Sequence, residues 1–190
     1  IVPAYYILTT AEASSNLSRF DGIRFGYRHV DKKTDLSALY NFTRSEGFGK
    51  EVKRRIMLGT FVLSTGYYEA YFTKAQQVRQ LLCEKTKLIF SEFDVLLFPT
   101  TPSTAFRLGE KLSDPIEMYA ADIFTVFSNL TGLPSISLPL FWHNNGLPFG
   151  VQIMTNRFCE LSLLHLSDQW MHQFKENGHE KPTPSTPITC

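Results

Sequence analysis

Apolar and polar positions change period several times along the chain, and each change marks an expected element. Residues 5–8 are continuously apolar and predict an interior strand. The Thr-Thr-Ala-Glu that follows fits a capping box with Thr9 as N-cap and Glu12 at the third helical position, opening a short helix that Asp21-Gly22 stops. Asp35 is placed to cap a second helix, which Gly47 and Gly49 end. In the helix that starts at Lys50, about 100° per residue puts Val52, Ile56, Gly59 and Leu63 on one stripe. After a bend at Gly66, residues 67–93 carry Tyr67, Tyr71, Val78, Leu81, Leu82 and Ile89 close to helical spacing, which predicts a long amphipathic helix.

Residues 94–99 form a short apolar run closed by proline, the pattern of a buried strand, and 100–114 read as loop. Asp114-Pro115 supplies a cap and a first-position proline for a helix running to Gly132. Residues 135–141 and 149–154 predict two strands, with Asn145-Gly146 providing the positive φ of a hairpin turn. A last helix is expected over 159–174, and the polar, proline-rich residues 175–190 read as a disordered tail. Helices alternate with strands without internal repeat, so the expected class is α/β, with 1–174 undivided by any linker.

Composition narrows the function classes. With 190 residues and 43% hydrophobic content the chain can build a large core. Nineteen basic residues against eighteen acidic ones leave a formal charge of +1, too little to hold a polyanion by a broad field. Cys83, Cys159 and Cys190 are odd in number and contain no C-x-x-C pair, which speaks against a disulfide framework and for a reducing compartment. The five histidines lack metal-site spacing, so no metal is expected. No apolar run reaches the roughly 18 residues of a membrane helix, and no membrane partner is expected. The chain opens on Ile1 rather than methionine, so it is expected to begin inside a longer protein, where a targeting segment could precede it.

No nucleophile elbow, Gly-rich phosphate cradle or activated Cys or His is present; what the chain offers is charge in apolar surroundings. Arg55 leans toward the apolar stripe of its helix and Arg54 points nearly opposite. Gly59, one turn on, leaves space for a small ligand or another backbone. In the competing arrangement Leu58 and Phe61 make a second apolar face, and Arg55 snorkels or pairs with Glu51. Asp122 is the single charge in residues 118–127, with Met118, Tyr119 and Val126 on its face. A buried carboxylate there requires a cation, either an arginine or lysine of the chain or a ligand ammonium. An inward arginine and a buried aspartate together would receive a zwitterion, which points to an amino acid.

Four segments, Y-Y-I-L-T-T-A-E-A-S-S-N-L-S-R-F-D-G-I-R-F-G-Y-R, T-R-S-E-G-F-G-K-E-V-K-R-R-I, D-I-F-T-V-F-S-N-L-T-G-L-P-S-I-S-L-P-L and G-L-P-F-G-V-Q-I-M, closely resemble the C-terminal part of the amidase signature family. Within that family they resemble the A-subunit branch of the glutamyl-tRNA(Gln) amidotransferases, over residues 1 to about 172. The resemblance implies the C-terminal portion of the amidase signature fold, an α/β architecture with a mixed sheet flanked by helices. It also implies glutamine hydrolysis by a Ser-Ser-Lys triad expected upstream of Ile1. Ser14 with Ser15, in a helix, and Ser135 with Ser137, in a strand, are not expected to replace that triad.

By resemblance, Arg55, Asp122 and Tyr6 bind the substrate glutamine, while Arg44, Lys53 and Arg54 are surface or interface charge. The same resemblance implies the B and C subunits as partners, ammonia delivered for amidation of Glu-tRNA(Gln), no cofactor in the A-type chain, and ATP with Mg2+ used by the B-type chain. Another amidase-signature amide hydrolase, which needs no zwitterion receptor, and a non-catalytic scaffold of the same fold are the alternatives. The N-R-F-C-E-L-S-L-L-H-L-S-D-Q-W segment and the tail resemble animal mitochondrial versions, so the matrix is the expected compartment, or the cytoplasm if the protein is bacterial.

Overall fold

The computed structural model describes residues 1–30, 35–110 and 115–176. The chain forms two compact units, Pro3–Val78 and Arg79 onward, with Ile1–Val2 counted with the second. The division falls inside a helix, Lys74–Ile89, so no linker composition marks it.

The first unit is helical: α1 (Val2–Leu17), α2 (Leu36–Gly47), α3 (Lys50–Val62) and a π-helical turn, Glu69–Thr73, that leads into α4 (Lys74–Ile89). The strand expected over residues 5–8 is instead the second turn of α1, and Thr9 does not cap a helix. Its Oγ1 donates to the Tyr5 carbonyl at 2.9 Å, and Thr10 Oγ1 donates to the Tyr6 carbonyl at 2.7 Å, so both hydroxyls are absorbed within one continuous helix. Aromatic and β-branched residues favour strand locally, but α1 buries Ala4, Thr10 and Ala11 along one side. That side meets α3 very closely: a Cβ on Gly59 would stand 2.0 Å from the Thr10 carbonyl oxygen and 2.5 Å from Ser14 Cβ. Tertiary packing overrides local preference here, and Pro3, in the first turn, is compatible with a helix start.

Helix α1 ends at Leu17, before the Asp21-Gly22 stop expected from sequence. Those two residues make a tight turn instead: the Ile23 N–H donates to Asp21 Oδ1 at 2.8 Å, and Gly22 sits at φ 70°, where a Cβ would lie 2.4 Å from the Tyr27 carbonyl oxygen. Asp35 caps α2 as expected, accepting from the Ala38 N–H at 2.7 Å.

The second unit carries β1 (Val95–Pro99), α5 (Pro115–Ala120), α6 (Thr125–Thr131), β2 (Ser135–Trp142), β3 (Pro148–Thr155) and α7 (Glu160–Glu176). The strands pair in the order β1-β3-β2, with every pairing antiparallel: Leu97 opposes Ile153, and Ile136 opposes Ile153 on the other side. The hairpin closes as the Asn-Gly signal predicts, with Gly146 at φ 79° and the His143 N–H donating to the Leu147 carbonyl at 2.9 Å. Its register shifts between Leu138 and Phe141, around Pro139, which has no N–H to donate and lies on an edge strand. Leu138, Leu140, Ile153 and Leu163 form the core, with Trp170 and Phe174 of α7 packed against it.

Two expectations change in this unit. Strand β1 is an edge rather than a buried strand, with Leu97 51% exposed, because among the described residues only β3 pairs with it. The helix expected from 115 to 131 is broken by turns over residues 121–124, and Asp114, its expected cap, lies outside the described residues. Helix α6 ends at Gly132 in the left-handed region (φ 67°). Its last carbonyls are taken by arginines: Arg79 Nε donates to Leu130 O at 2.9 Å and Arg157 Nε to Thr131 O at 3.2 Å. Of the tail expected over 175–190, residues 175–176 belong to α7 and 177–190 lie outside the described residues.

Candidate functional site

Helix α3 begins at the N-cap Gly49 and places five charges, Lys50, Glu51, Lys53, Arg54 and Arg55, in its first two turns. Glu51 answers two of them, Oε2 to Arg54 Nη1 at 3.1 Å and Oε1 to Arg55 Nε at 3.0 Å. The two arginines differ in surroundings. The Arg54 side chain is 51% exposed, whereas that of Arg55 is 34% exposed and holds its guanidinium carbon 5.6 Å from the centre of the Tyr6 ring. That is cation–π distance. Arg55 therefore leans inward and also pairs with Glu51, combining features of both arrangements the helical spacing allows.

Leu58 and Phe61 are 46% and 41% exposed, so they do not form a second buried face. The space beside Gly59 is filled by the backbone of α1. The same close approach brings Ser14 Oγ to within 3.1 Å of Thr60 Oγ1. The helix that carries Tyr6 is thus seated on the helix that carries Arg55, and two of the three expected binding residues come together.

Asp122 belongs to the other unit. The turn over 121–124 sets it on the surface, exposed, with its backbone carbonyl accepting from the Val126 N–H at 3.1 Å and from Thr125 Oγ1 at 3.1 Å. The buried carboxylate expected from a continuous helix is therefore not observed, and among the described residues no ion pair reaches its side chain. The physical reason is the helix break: side chains that share a face at helical spacing lose that relation once the helix is interrupted.

Arg44, expected as surface charge, is a structural bolt instead. Its Nη1 donates to the carbonyls of Leu17 at 2.7 Å and Phe20 at 3.0 Å, and its guanidinium lies 5.1 Å from the Phe48 ring centre. It adds a charged donor to carbonyls at and just past the end of α1. Lys53 remains an exposed group, donating from Nζ to the Ser45 carbonyl at 2.6 Å.

A cluster that no sequence pattern signals ties the segment between α1 and α2 to the last turn of α2. The Tyr27 hydroxyl donates to Glu46 Oε2, and His29 Nδ1 lies 2.9 Å from that same oxygen. The hydrogen bond from Tyr27, then the one from His29, hold the Glu46 carboxyl below its ordinary range, and the bond to Glu46 pushes the Tyr27 hydroxyl up. The cluster joins residues 17 and 19 positions apart, beyond the reach of any local pattern.

Neither serine pair has a base beside it. Ser14 meets Thr60, and Ser137 Oγ lies 2.7 Å from Thr100 Oγ1; among the described residues no serine or cysteine is hydrogen-bonded to a lysine or histidine side chain. No group of three potential metal ligands occurs among the described residues, and no helix among them is long and apolar enough to cross a membrane. An open apolar groove of about 300 Å³, lined by Leu97, Leu140, Val151, Trp170 and Phe174 among others, lies between the sheet and α7; none of Tyr6, Arg55 and Asp122 lines it.

The second unit sets α7 on an antiparallel sheet, and the first is helical and carries the inward-leaning Arg55. Residues 1–164 match the family described as Amidase, and the chain belongs to that family. It is 56% identical over 166 residues to the A subunit of the glutamyl-tRNA(Gln) amidotransferase of Brevibacillus brevis, an alignment covering 87% of this chain and 34% of that one. The chain thus spans about a third of the length of the curated relatives it matches. Among solved structures, the A subunit of the glutamyl-tRNA(Gln) amidotransferase of Thermotoga maritima is similar with a TM-score of 0.51 and 44% identity, over 70% of this chain and 30% of that one. A 6-aminohexanoate cyclic dimer hydrolase shares the fold with a TM-score of 0.63 over 97% of this chain and 35% of that one, at 18% identity.

Proposed function

We propose that this chain is the glutamine-holding portion of the A subunit of a glutamyl-tRNA(Gln) amidotransferase. The observation that carries the reading is the setting of Arg55, half-buried and oriented over Tyr6 beside an exposed Arg54, in a chain that shares 56% identity with a relative of that name. A guanidinium is a planar fork that takes a carboxylate by two parallel hydrogen bonds, and here it takes the α-carboxylate of glutamine. Tyr6 supports its face. The resemblance alone gives the α-ammonium to Asp122. The nucleophile that attacks the side-chain amide comes from residues outside these 190. The released ammonia passes to the B subunit, which uses ATP and Mg2+ to amidate Glu-tRNA(Gln), and the C subunit joins the two.

An amidase acting on a simple amide would have no use for a receptor for an α-ammonium and α-carboxylate, so the two readings separate on one substitution. In the complete complex, Asp122→Asn should raise the glutamine KM about threefold to fivefold, the range of an exposed ion pair, while amidation driven by added ammonia persists because ammonia bypasses the glutamine pocket. Equal loss of both activities, or no change in glutamine KM, removes Asp122 from the site.

A further inference from the structure

The glutamine reading gives Arg55 a task but leaves open what aims it. An arginine side chain has four rotatable bonds, and a bidentate contact requires both the plane of the guanidinium and its direction within that plane to be set. The Tyr6 ring, 5.6 Å from the guanidinium carbon, restrains the plane. The direction within the plane is restrained by Glu51, whose Oε1 lies 3.0 Å from Arg55 Nε, one helical turn away. Its other oxygen is occupied separately by Arg54, at 3.1 Å, so the Glu51 carboxylate is itself anchored from the exterior side.

We propose that Glu51 is the positioning residue for Arg55, holding it by Nε so that the Nη1–Nη2 edge is presented to the carboxylate of an amino acid substrate; this rests on the glutamine reading above. The contact through Nε is the informative detail. A guanidinium has a side edge, which includes Nε, and an end edge made of Nη1 and Nη2. A carboxylate on the side edge turns the end edge toward whatever the side chain faces, and the end edge is suited to a second, incoming carboxylate.

Two simpler roles make different predictions. Glu51 lies in the first turn of α3, where a negative charge suits the helix dipole and where the N-cap Gly49 offers no side-chain hydrogen bond. If that were its whole role, any loss of charge would lower stability and leave glutamine affinity alone. If Glu51 acted on the substrate through charge alone, its removal would lower KM, because it is a carboxylate close to where another carboxylate binds. Positioning predicts the opposite sign, and it predicts that an uncharged acceptor of the same length suffices.

The test uses the full-length protein in its complex, with steady-state glutamine kinetics and thermal melting of Glu51→Ala, Glu51→Gln, Glu51→Asp and Arg55→Lys. Glu51→Ala should raise glutamine KM about threefold to tenfold, within the scale of one lost hydrogen bond to a charged group, with kcat altered less than about twofold. Glu51→Gln keeps an oxygen in reach of Nε and should recover most of that loss. Glu51→Asp, one methylene shorter, should not. A Glu51→Ala enzyme with unchanged or lowered KM, or a Glu51→Gln enzyme as impaired as Glu51→Ala, overturns the proposal. If Glu51→Ala fails to fold, the contrast between Gln and Asp decides it. Should Arg55→Lys raise KM while Glu51→Ala does not, positioning fails and the glutamine reading stands. Should Arg55→Lys also be silent, the glutamine reading fails and this inference falls with it.

Discussion

Gly59→Ala tests the joint that brings Tyr6 to Arg55. A Cβ at this position would lie 2.0 Å from the Thr10 carbonyl oxygen, 1.4 Å short of the 3.4 Å at which ordinary contact begins, and 2.7 Å from the Thr10 carbonyl carbon. The nearest obstacle is backbone, so no side-chain rotation relieves it and the helices must separate. Overpacking of this kind costs about 1–3 kcal/mol, and the unyielding neighbour puts Gly59 toward the upper end. Separation also breaks the 3.1 Å contact between Ser14 Oγ and Thr60 Oγ1, worth about 1 kcal/mol. Replacing glycine by alanine inside a helix returns about 1 kcal/mol. The net expectation is a destabilisation of about 2–3 kcal/mol, a fall of about 1 M in urea midpoint at the denaturant slopes usual for a domain of this size. Urea unfolding of the full-length protein followed by circular dichroism measures it, and the glutamine KM should rise with it as α1 carries Tyr6 away. A midpoint equal to or above that of the wild type would refute the close approach of α1 and α3.

Arg44→Met should lower stability by about 2 kcal/mol, read from the same urea midpoint, because two carbonyls at the end of α1 lose a charged donor. The Tyr27–Glu46–His29 cluster should give stability a pH dependence with a defined sign. Glu46 is held below its ordinary 4.5, so its contribution is present above that pH and is lost as pH falls through the lower folded value. Tyr27 is held above 10.0, so its contribution is present below that pH and is lost as pH rises through the higher folded value. Glu46→Gln should flatten the acid limb of a stability–pH curve, and an unchanged limb would show that other carboxylates produce it.

Much of the fold is legible in the sequence because its signals are local. Asp35 as a cap and Asn145-Gly146 as a hairpin turn each depend on residues a few positions apart and stand as expected, whereas the single helix expected over 67–93 is a π-helical turn followed by α4, which ends at Ile89. The differences arise where distant contacts decide. Residues 5–8 carry strand-forming side chains, yet they are helical because Gly59, some fifty residues away, lets α1 seat on α3. The buried face expected for Asp122 requires one unbroken helix, and the turn at 121–124 removes that face. Arg44 looks like one more cation in a basic stretch because the carbonyls it binds lie 24 and 27 residues earlier. Helical spacing is enough to single out Arg55 rather than Arg54 as the inward-leaning arginine, but it does not show that Tyr6 lies beneath it.

The central claim is that one guanidinium of this basic helix, and not its neighbour, receives the carboxylate of glutamine. Glutamine KM measured side by side for Arg55→Lys and Arg54→Lys in the full-length protein within its complex tests it most directly. Lysine preserves the charge and loses the two-donor fork, so Arg55→Lys should weaken glutamine by about 1–3 kcal/mol while Arg54→Lys, whose side chain is 51% exposed, stays within about 0.5 kcal/mol of wild type. Equal damage from both substitutions, or none from Arg55→Lys, would contradict it.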